Sequence, residues 1–252
     1  MRGFLRGGNQ VTLDRIETNK ARIDQHRPLQ EPLLSQLRGY YRVGLTWSSN
    51  ALEGSSLTES ETKVLLEDGL TVGGKPIRDY YEATGHAKAY DAMYGLLDAS
   101  SPLTKQDICE LHRLFYSQIN EAEAGAYRTQ QVFISGSQYP LPRPDQISGM
   151  MAAFAEWMAV NESKLHPVAF AAQAHKRFVF IHPFIDGNGR VSRLLMSLCL
   201  LRHGYTLAIV PPVLRAEYIA ALERAHVDDG PFVEFIAQRV LETQKDVLRL
   251  LG

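Results

Sequence analysis

At 252 residues the chain is long enough to bury a substantial core, in one large domain or in one domain with an extension. Hydrophobic residues make up 45% of it, charged residues 22%, and the formal net charge is −1. That balance removes any bulk electrostatic argument for nucleic acid or for an anionic membrane surface, and leaves room for a local basic pocket around a small anion.

Helical periodicity dominates the chain. Residues 13–25 and 32–50 read as two helices joined through Pro28, and Thr58 followed by Glu61 is a capping-box pattern opening a short helix to Glu67. Gly69, Gly73 and Gly74 break it. A long helix is expected over 79–97, and Thr104 with Asp107 opens another to about Ile119. The character then changes: residues 127–139 are rich in β-formers with turn residues at Ser135 and Gly136, which predicts a small β-hairpin. Pro140, Pro142 and Pro144 end it in an extended segment, and Pro144 suits the first turn of a helix to about Val160. Helices over 167–181, 188–203, 213–226 and 231–250 complete the set, with a loop at 182–187. The expected architecture is mainly α, one domain with a hairpin inserted and N-terminal helices packed on it.

Residues 1–10 are short and polar with no apolar run behind them, so no secretory signal is expected. The most apolar stretch, 194–201, is too short for a bilayer, and the expected location is the cytoplasm, with no membrane partner. Cys109 and Cys199 fall in apolar helical patterns and read as buried free thiols. Trp47 and Trp157 suit core or interface positions, His166 before Pro167 a helix start, and Asp228-Asp229-Gly230 a turn. His175, Lys176 and Arg177 carry no assigned role.

The chemistry concentrates in His182-Pro183-Phe184-Ile185-Asp186-Gly187-Asn188-Gly189-Arg190, with Arg193 after it. One helix delivers a histidine at its end, where Pro183 stops it. Gly187 and Gly189 let main-chain N–H groups approach a ligand. The next helix begins near Asn188, so its unpaired N–H groups and positive dipole end face the same space, an anion site suited to phosphate. Arg190 and Arg193, three apart on one helical face, suit a polyphosphate. Asp186 places a carboxylate where Mg²⁺ would bridge it to phosphate oxygens. His182 can take a proton near neutral pH. Taken singly these have plainer readings: a helix-end histidine, an Asp-Gly turn, a solvated pair of arginines. Phe184 and Ile185 belong mainly to the core, with Phe184 anchoring the loop.

This segment resembles the signature of the Fic family, His-x-Phe-x-Asp/Glu-Gly-Asn-Gly-Arg-x-x-Arg, with every fixed position present. Gly125-Ala126-Tyr127-Arg128 and Val132-Phe133-Ile134-Ser135-Gly136 are similar to the family's flap, which holds a target peptide by strand addition. The resemblance covers most of residues 40–235. It implies a Fic-type helical bundle, with a core over 76–252 and an N-terminal helical extension over 1–75. It implies transfer of AMP from ATP to a Ser, Thr or Tyr hydroxyl of a target protein, or of the chain itself. His182 would be the base and Asp186 the Mg²⁺ ligand. Gly187, Asn188 and Gly189 would form the α-phosphate hole, and Arg190 and Arg193 would steady the β- and γ-phosphates. Val132, Phe133 and Ile134 would bind the target. Relatives often form dimers, so a homodimer is among the implied partners.

Ser49-Asn50-Ala51-Leu52-Glu53-Gly54 resembles the family's inhibitory motif in its N-terminal position. A glutamate against Arg193 would neutralise it and occupy γ-phosphate space; the plainer reading is a helix end capped by Gly54. The same glutamate is tied in some relatives to removal of AMP by water. Rival readings are transfer of UMP, phosphocholine or phosphate on the same fold, and a silent nucleotide-binding regulator. The kinase-like branch departs from Gly-Asn-Gly-Arg and this chain does not; no Walker motif is present, and no direct nucleic-acid binding is expected.

Overall fold

The apolar periodicity of the sequence is realised as helices almost throughout, with shifted ends. In the computed structural model, which describes residues 7–98 and 100–252, these are α1 (Gly7–Asp24), α2 (Leu33–Ala51), α3 (Glu59–Asp68), α4 (Ile77–Met93), α5 (Lys105–Tyr116), α6 (Pro144–Asn161), α7 (Pro167–Ile181), α8 (Asn188–Arg202), α9 (Arg215–Arg224) and α10 (Gly230–Leu251). Residues 1–6, on which the leader expectation largely rests, lie outside the described residues. The helices expected over 79–97 and 213–226 each divide into an α-helix and a 3-10 turn, Tyr94–Leu96 after α4 and Pro212–Leu214 before α9.

Local chemistry sets the ends. The Glu61 N–H donates to Thr58 Oγ1 (3.2 Å) while the Thr58 N–H donates back to the Glu61 carboxylate (2.7 Å). Thr104 and Asp107 repeat this reciprocal cap at α5. Pro144 and Pro167 occupy first-turn positions, where the missing N–H has no intrahelical partner to lose. His166 caps α7, accepting from the Val168 N–H.

Residues 190–200 of α8 are all buried, so this helix is enclosed on every side. It packs along α7, to which the short 182–187 loop joins it, and α2, α4 and α5 close over it. α10 lies against α7 and carries α1, where the Gln244 side chain donates to the Ile16 carbonyl. Leu13, Leu45 and Leu52 share one hydrophobic cluster with Phe178 and Leu195. The C-terminal end of α2, with Ser49, and the turn after it, with Glu53, thereby reach the N-terminal part of α8. Both cysteines are free thiols, Cys199 buried and Cys109 half-buried. Among the described residues no helix is long and apolar enough to cross a membrane.

The β-hairpin expected over 127–139 is a correction: no strand forms there, nor elsewhere among the described residues. The segment runs out, turns at 134–137 through Gly136 (φ 86°), and runs back without a backbone ladder. The return limb explains this, since Pro140 and Pro142 have no N–H to contribute. Side chains hold the limbs instead: Gln131 Nε2 donates to the Leu141 carbonyl, and Glu223 of α9 accepts from Ser137 Oγ and the Gln138 N–H.

Candidate active site

His182 is the residue that ends α7. It adopts a left-handed conformation (φ 51°, ψ 58°), alone among non-glycine residues described. Such a conformation costs a β-carbon-bearing residue about 1–3 kcal/mol and persists only where the surroundings over-determine it. Here a buried arginine does so. Arg128 Nε donates to the His182 carbonyl (2.8 Å) and the Arg128 N–H to the Pro183 carbonyl (2.9 Å). Its remaining nitrogens reach the Gln130 and Pro142 carbonyls, so one guanidinium ties the histidine to both limbs of the flap.

Burial pushes the His182 imidazole down to about 4, so it is neutral at pH 7. Nδ1 lies 3.3 Å from the Val179 carbonyl, which can only accept. That contact assigns the proton to Nδ1 and leaves the Nε2 lone pair free.

The loop after His182 is closed by Asn188. Its side-chain oxygen accepts from the Phe184 N–H (2.9 Å) and its amide donates to the Phe184 carbonyl (2.8 Å). The Asn188 side chain is therefore committed to loop shape, and what it offers an anion is its main-chain N–H. Phe184 anchors the loop, fully buried and stacked on His112 with ring centroids 3.7 Å apart. His112 Nδ1 accepts from the Gly125 N–H (2.8 Å), so Nε2 carries the proton and donates to the Asp186 carbonyl (3.1 Å).

Gly187 begins α8 at φ 80°, and a β-carbon there would lie 2.6 Å from Phe115 Cε1. Backbone strain and a clash with a packed ring coincide. Gly187→Ala is accordingly expected to destabilise the fold by more than the roughly 1–3 kcal/mol of the backbone alone, lowering Tm by several degrees. Gly189→Ala should cost less, because its φ is not positive and its β-carbon would meet side-chain ends and no packed ring, Glu53 Oε1 at 2.2 Å and Arg193 Nη1 at 3.2 Å. Parallel thermal melts check this; equal losses would refute it.

That contact also shows what faces the helix N-terminus. The Glu53 carboxylate lies against Gly189 and pairs with Arg193, Oε1 to Nη2 at 2.7 Å. Arg193 also donates through Nε to Ser49 Oγ and through Nη2 to the Ser49 carbonyl, both at 2.9 Å, and Nη1 sits 3.5 Å from the Tyr218 hydroxyl. Burial alone would raise the Glu53 carboxyl, but the charge and hydrogen bond of Arg193 outweigh it and hold it below its usual range. Gly54 (φ 98°) turns the chain directly after it.

Arg190 has different partners although it shares a helical face with Arg193. Its Nη2 donates to Asp186 Oδ1 (3.0 Å), Nη1 lies 2.9 Å from Glu82 Oε1, and the guanidinium stands over the Phe115 ring. Asp186 Oδ1 also accepts from the Gly187 N–H, and Oδ2 is paired with Arg78 of α4. Burial would raise the Asp186 carboxyl; Arg190, the Gly187 N–H and Arg78 together bring it below the usual range.

His182, Glu53, Gly189 and Arg193 line one cleft of about 170 Å³, closed by Ile134, Tyr139 and Leu141 of the flap and by α9. Of the expected target-binding residues, Ile134 faces this cleft, Phe133 is 86% exposed and Val132 is half-buried. Sequence reasoning assigned no part to His112, Arg78, Glu82 or Tyr218, and placed Arg128 only in the stretch similar to the family's flap. His175, left without a role, is fully buried with Nε2 2.8 Å from the Tyr218 hydroxyl, behind Arg193. Trp157 stacks on Phe170, and Asp229 pairs with Lys176.

Four histidines are held neutral by burial: His86 and His175 are pushed down to about 3, His112 and His182 to about 4. Their folded values lie below the unfolded value of about 6.5, so the unfolded chain binds more protons in between. The stability they contribute is complete above about pH 6.5 and is lost as pH falls toward 4 and then 3. Tm should therefore decline steadily from pH 7 to 5 in scanning calorimetry; a flat Tm over that interval would contradict it.

A family model described as Fic/DOC family matches residues 102–200. The chain is 34% identical over 233 residues to a protein adenylyltransferase Fic of Nematostella vectensis, covering 91% of this chain and 54% of that protein. Its fold matches a Fic domain containing signaling protein from Bacteroides thetaiotaomicron (TM-score 0.85, 26% identity, 92% of this chain and 95% of that one). It likewise matches Fic-1 (residues 134–508) from C. elegans (TM-score 0.85, 29% identity, 96% and 72%). The chain spans about half the length of the curated relative from Nematostella.

Proposed function

The chain belongs to the Fic/DOC family, and from that premise we propose that it transfers the AMP part of ATP to a hydroxyl of a target protein, held in check by its own Glu53. One observation carries the reading. A carboxylate of the chain sits against Gly189 at the N-terminus of α8, paired with Arg193, in the cleft that also holds the free nitrogen of His182. An anion site with an internal anion in it, beside a neutral base, is what a restrained phosphoryl-group transferase requires.

The target oxygen attacks the α-phosphorus of ATP. His182 Nε2 takes the hydroxyl proton, the bond from the α-phosphorus to the bridging oxygen breaks, and pyrophosphate leaves. The product is a phosphodiester joining AMP to the target. The N–H groups of the α8 first turn, presented by Gly187, Asn188 and Gly189, stabilise the charge that builds on the α-phosphate oxygens. Arg193, once released by Glu53, and Arg190 steady the β- and γ-phosphates. Flap residues Val132, Phe133 and Ile134 bind the target as an added extended segment.

Asp186 suits a hard divalent ion. It is a carboxylate at the mouth of a phosphate site, with one oxygen fixed by backbone and Arg190 and the other held only at the rim. Mg²⁺ there would neutralise phosphate charge, and a single carboxylate with phosphates and waters is a usual set for it. Among the described residues no cluster of three His, Cys, Asp or Glu offers an all-protein site.

Label transfer from α-³²P-ATP with Mg²⁺ tests the reading, with γ-³²P-ATP and α-³²P-UTP as parallel donors. Protein-bound label from α-³²P-ATP alone supports AMP transfer. Label from γ-³²P-ATP would mean phosphate transfer, and preference for UTP would move the reading to UMP.

A further inference from the structure

The two oxygens of Asp186 are held in different ways. Oδ1 belongs to the frame, taking the Gly187 N–H at 2.6 Å and Arg190 Nη2 at 3.0 Å. Oδ2 is paired with Arg78. Arg190 and Glu82 behind it are 4% and 7% exposed and form the buried part of the network, while the Arg78 side chain is 52% exposed at its rim. Arg78 Nε also donates to Glu82 Oε1 at 2.8 Å, which keeps its guanidinium within reach of the site when Oδ2 is given up.

Helix energetics do not explain this placement. Arg78 is the second residue of α4, where the helix dipole disfavours a cation and favours an acid. An exposed ion pair contributes little on its own, so the Arg78–Asp186 contact opens cheaply. It nevertheless occupies the oxygen that a divalent ion would need. We propose that Arg78 is a resident counter-cation of Asp186, which a divalent metal displaces, so that Arg78 sets the metal affinity of the site. This rests on Asp186 being the metal ligand. In the nucleotide-free protein Arg78 neutralises Asp186 and keeps loose metal off it. When a metal–nucleotide complex arrives, its phosphates supply the further ligands that let the metal win. Arg78, still tethered by Glu82, is then a third guanidinium beside the polyphosphate.

The test is a titration with Mn²⁺, reading free ion by electron paramagnetic resonance, on the nucleotide-free native chain, Arg78→Ala, Arg78→Lys and Asp186→Asn. Arg78→Ala is expected to bind Mn²⁺ about 3- to 10-fold tighter than native at low salt, with the advantage shrinking as salt screens the exposed charges. Arg78→Lys, which keeps a cation, should stay near native, and Asp186→Asn should lose the site. If Arg78→Ala binds no tighter than native while Asp186→Asn abolishes binding, the metal reading stands and the counter-cation proposal is overturned. If Asp186→Asn binds as well as native, both fall. Absence of binding by native and Arg78→Ala alike also overturns the proposal.

Discussion

His182→Ala is expected to lower AMP transfer by about 10²- to 10⁴-fold, the range a positioned general base supplies, with ATP binding little changed. The comparison is best made in a Glu53→Gly background, where the rate is high enough to measure the loss. The size of the effect follows from how much of the local structure serves the ring. Arg128 fixes a strained backbone, Val179 assigns the tautomer, and burial keeps the imidazole neutral. Since the base works unprotonated and its value in the free protein is about 4, kcat/KM should be nearly flat from about pH 6 to 8 and fall as pH drops toward 4. A histidine at its ordinary value would bring the fall in near 6.5. His182→Ala transferring label at more than a tenth of the parent rate would remove it from the role of base.

How far the sequence was legible differs between frame and site. Helices with reciprocal caps, such as those opened by Thr58–Glu61 and Thr104–Asp107, could be read because the interactions are local. The 182–193 loop could be read as an anion site because glycines, a helix start and arginines at fixed spacing each imply a backbone consequence. The flap could not. Its β-rich composition was opposed by Pro140 and Pro142 on the return limb, and what holds it is Glu223, 86 residues from Ser137. Nor could spacing reveal that Arg190 and Arg193 part company, one toward Glu82 and the other toward Ser49, because both partners come from distant helices. His112 left a trace: it falls on the same face of α5 as Ile108, Leu111 and Phe115, all buried, and a histidine among such residues needs partners. Arg128 could be read only as part of the Gly125–Arg128 stretch similar to the family's flap, and not as the residue that holds His182, since the partners of its guanidinium are carbonyls, the farthest of them 54 residues away.

Glu53→Gly is expected to raise AMP transfer by about 5- to 150-fold, the span of a coupling of roughly 1–3 kcal/mol between an inhibitory contact and the site it blocks. The contact has two parts that separate by mutation. The carboxylate neutralises Arg193, and its bulk stands over Gly189, where phosphate oxygens would approach the helix N–H groups. Glu53→Gln keeps the bulk and removes the charge. It should fall between native and Glu53→Gly if both parts count, and match native if bulk alone blocks the site. Stability moves the other way. Arg193 is 2% exposed and would lose Glu53, its only carboxylate partner among the described residues, so Glu53→Gly should melt below the native chain. The loss should stay under the 3–5 kcal/mol of a broken buried pair, because the Glu53 side chain is 34% exposed and Ser49 still holds the guanidinium. ATP binding restores a counter-anion to Arg193, so saturating ATP should raise the Tm of Glu53→Gly more than that of the native chain. We propose a second role for the same carboxylate, which lies against Gly189: orienting a water for removal of AMP. On a target already carrying AMP, Glu53→Gly should therefore release it more slowly than native. Faster transfer with unchanged release would keep the brake and discard the second role, whereas transfer no faster than native would discard the brake.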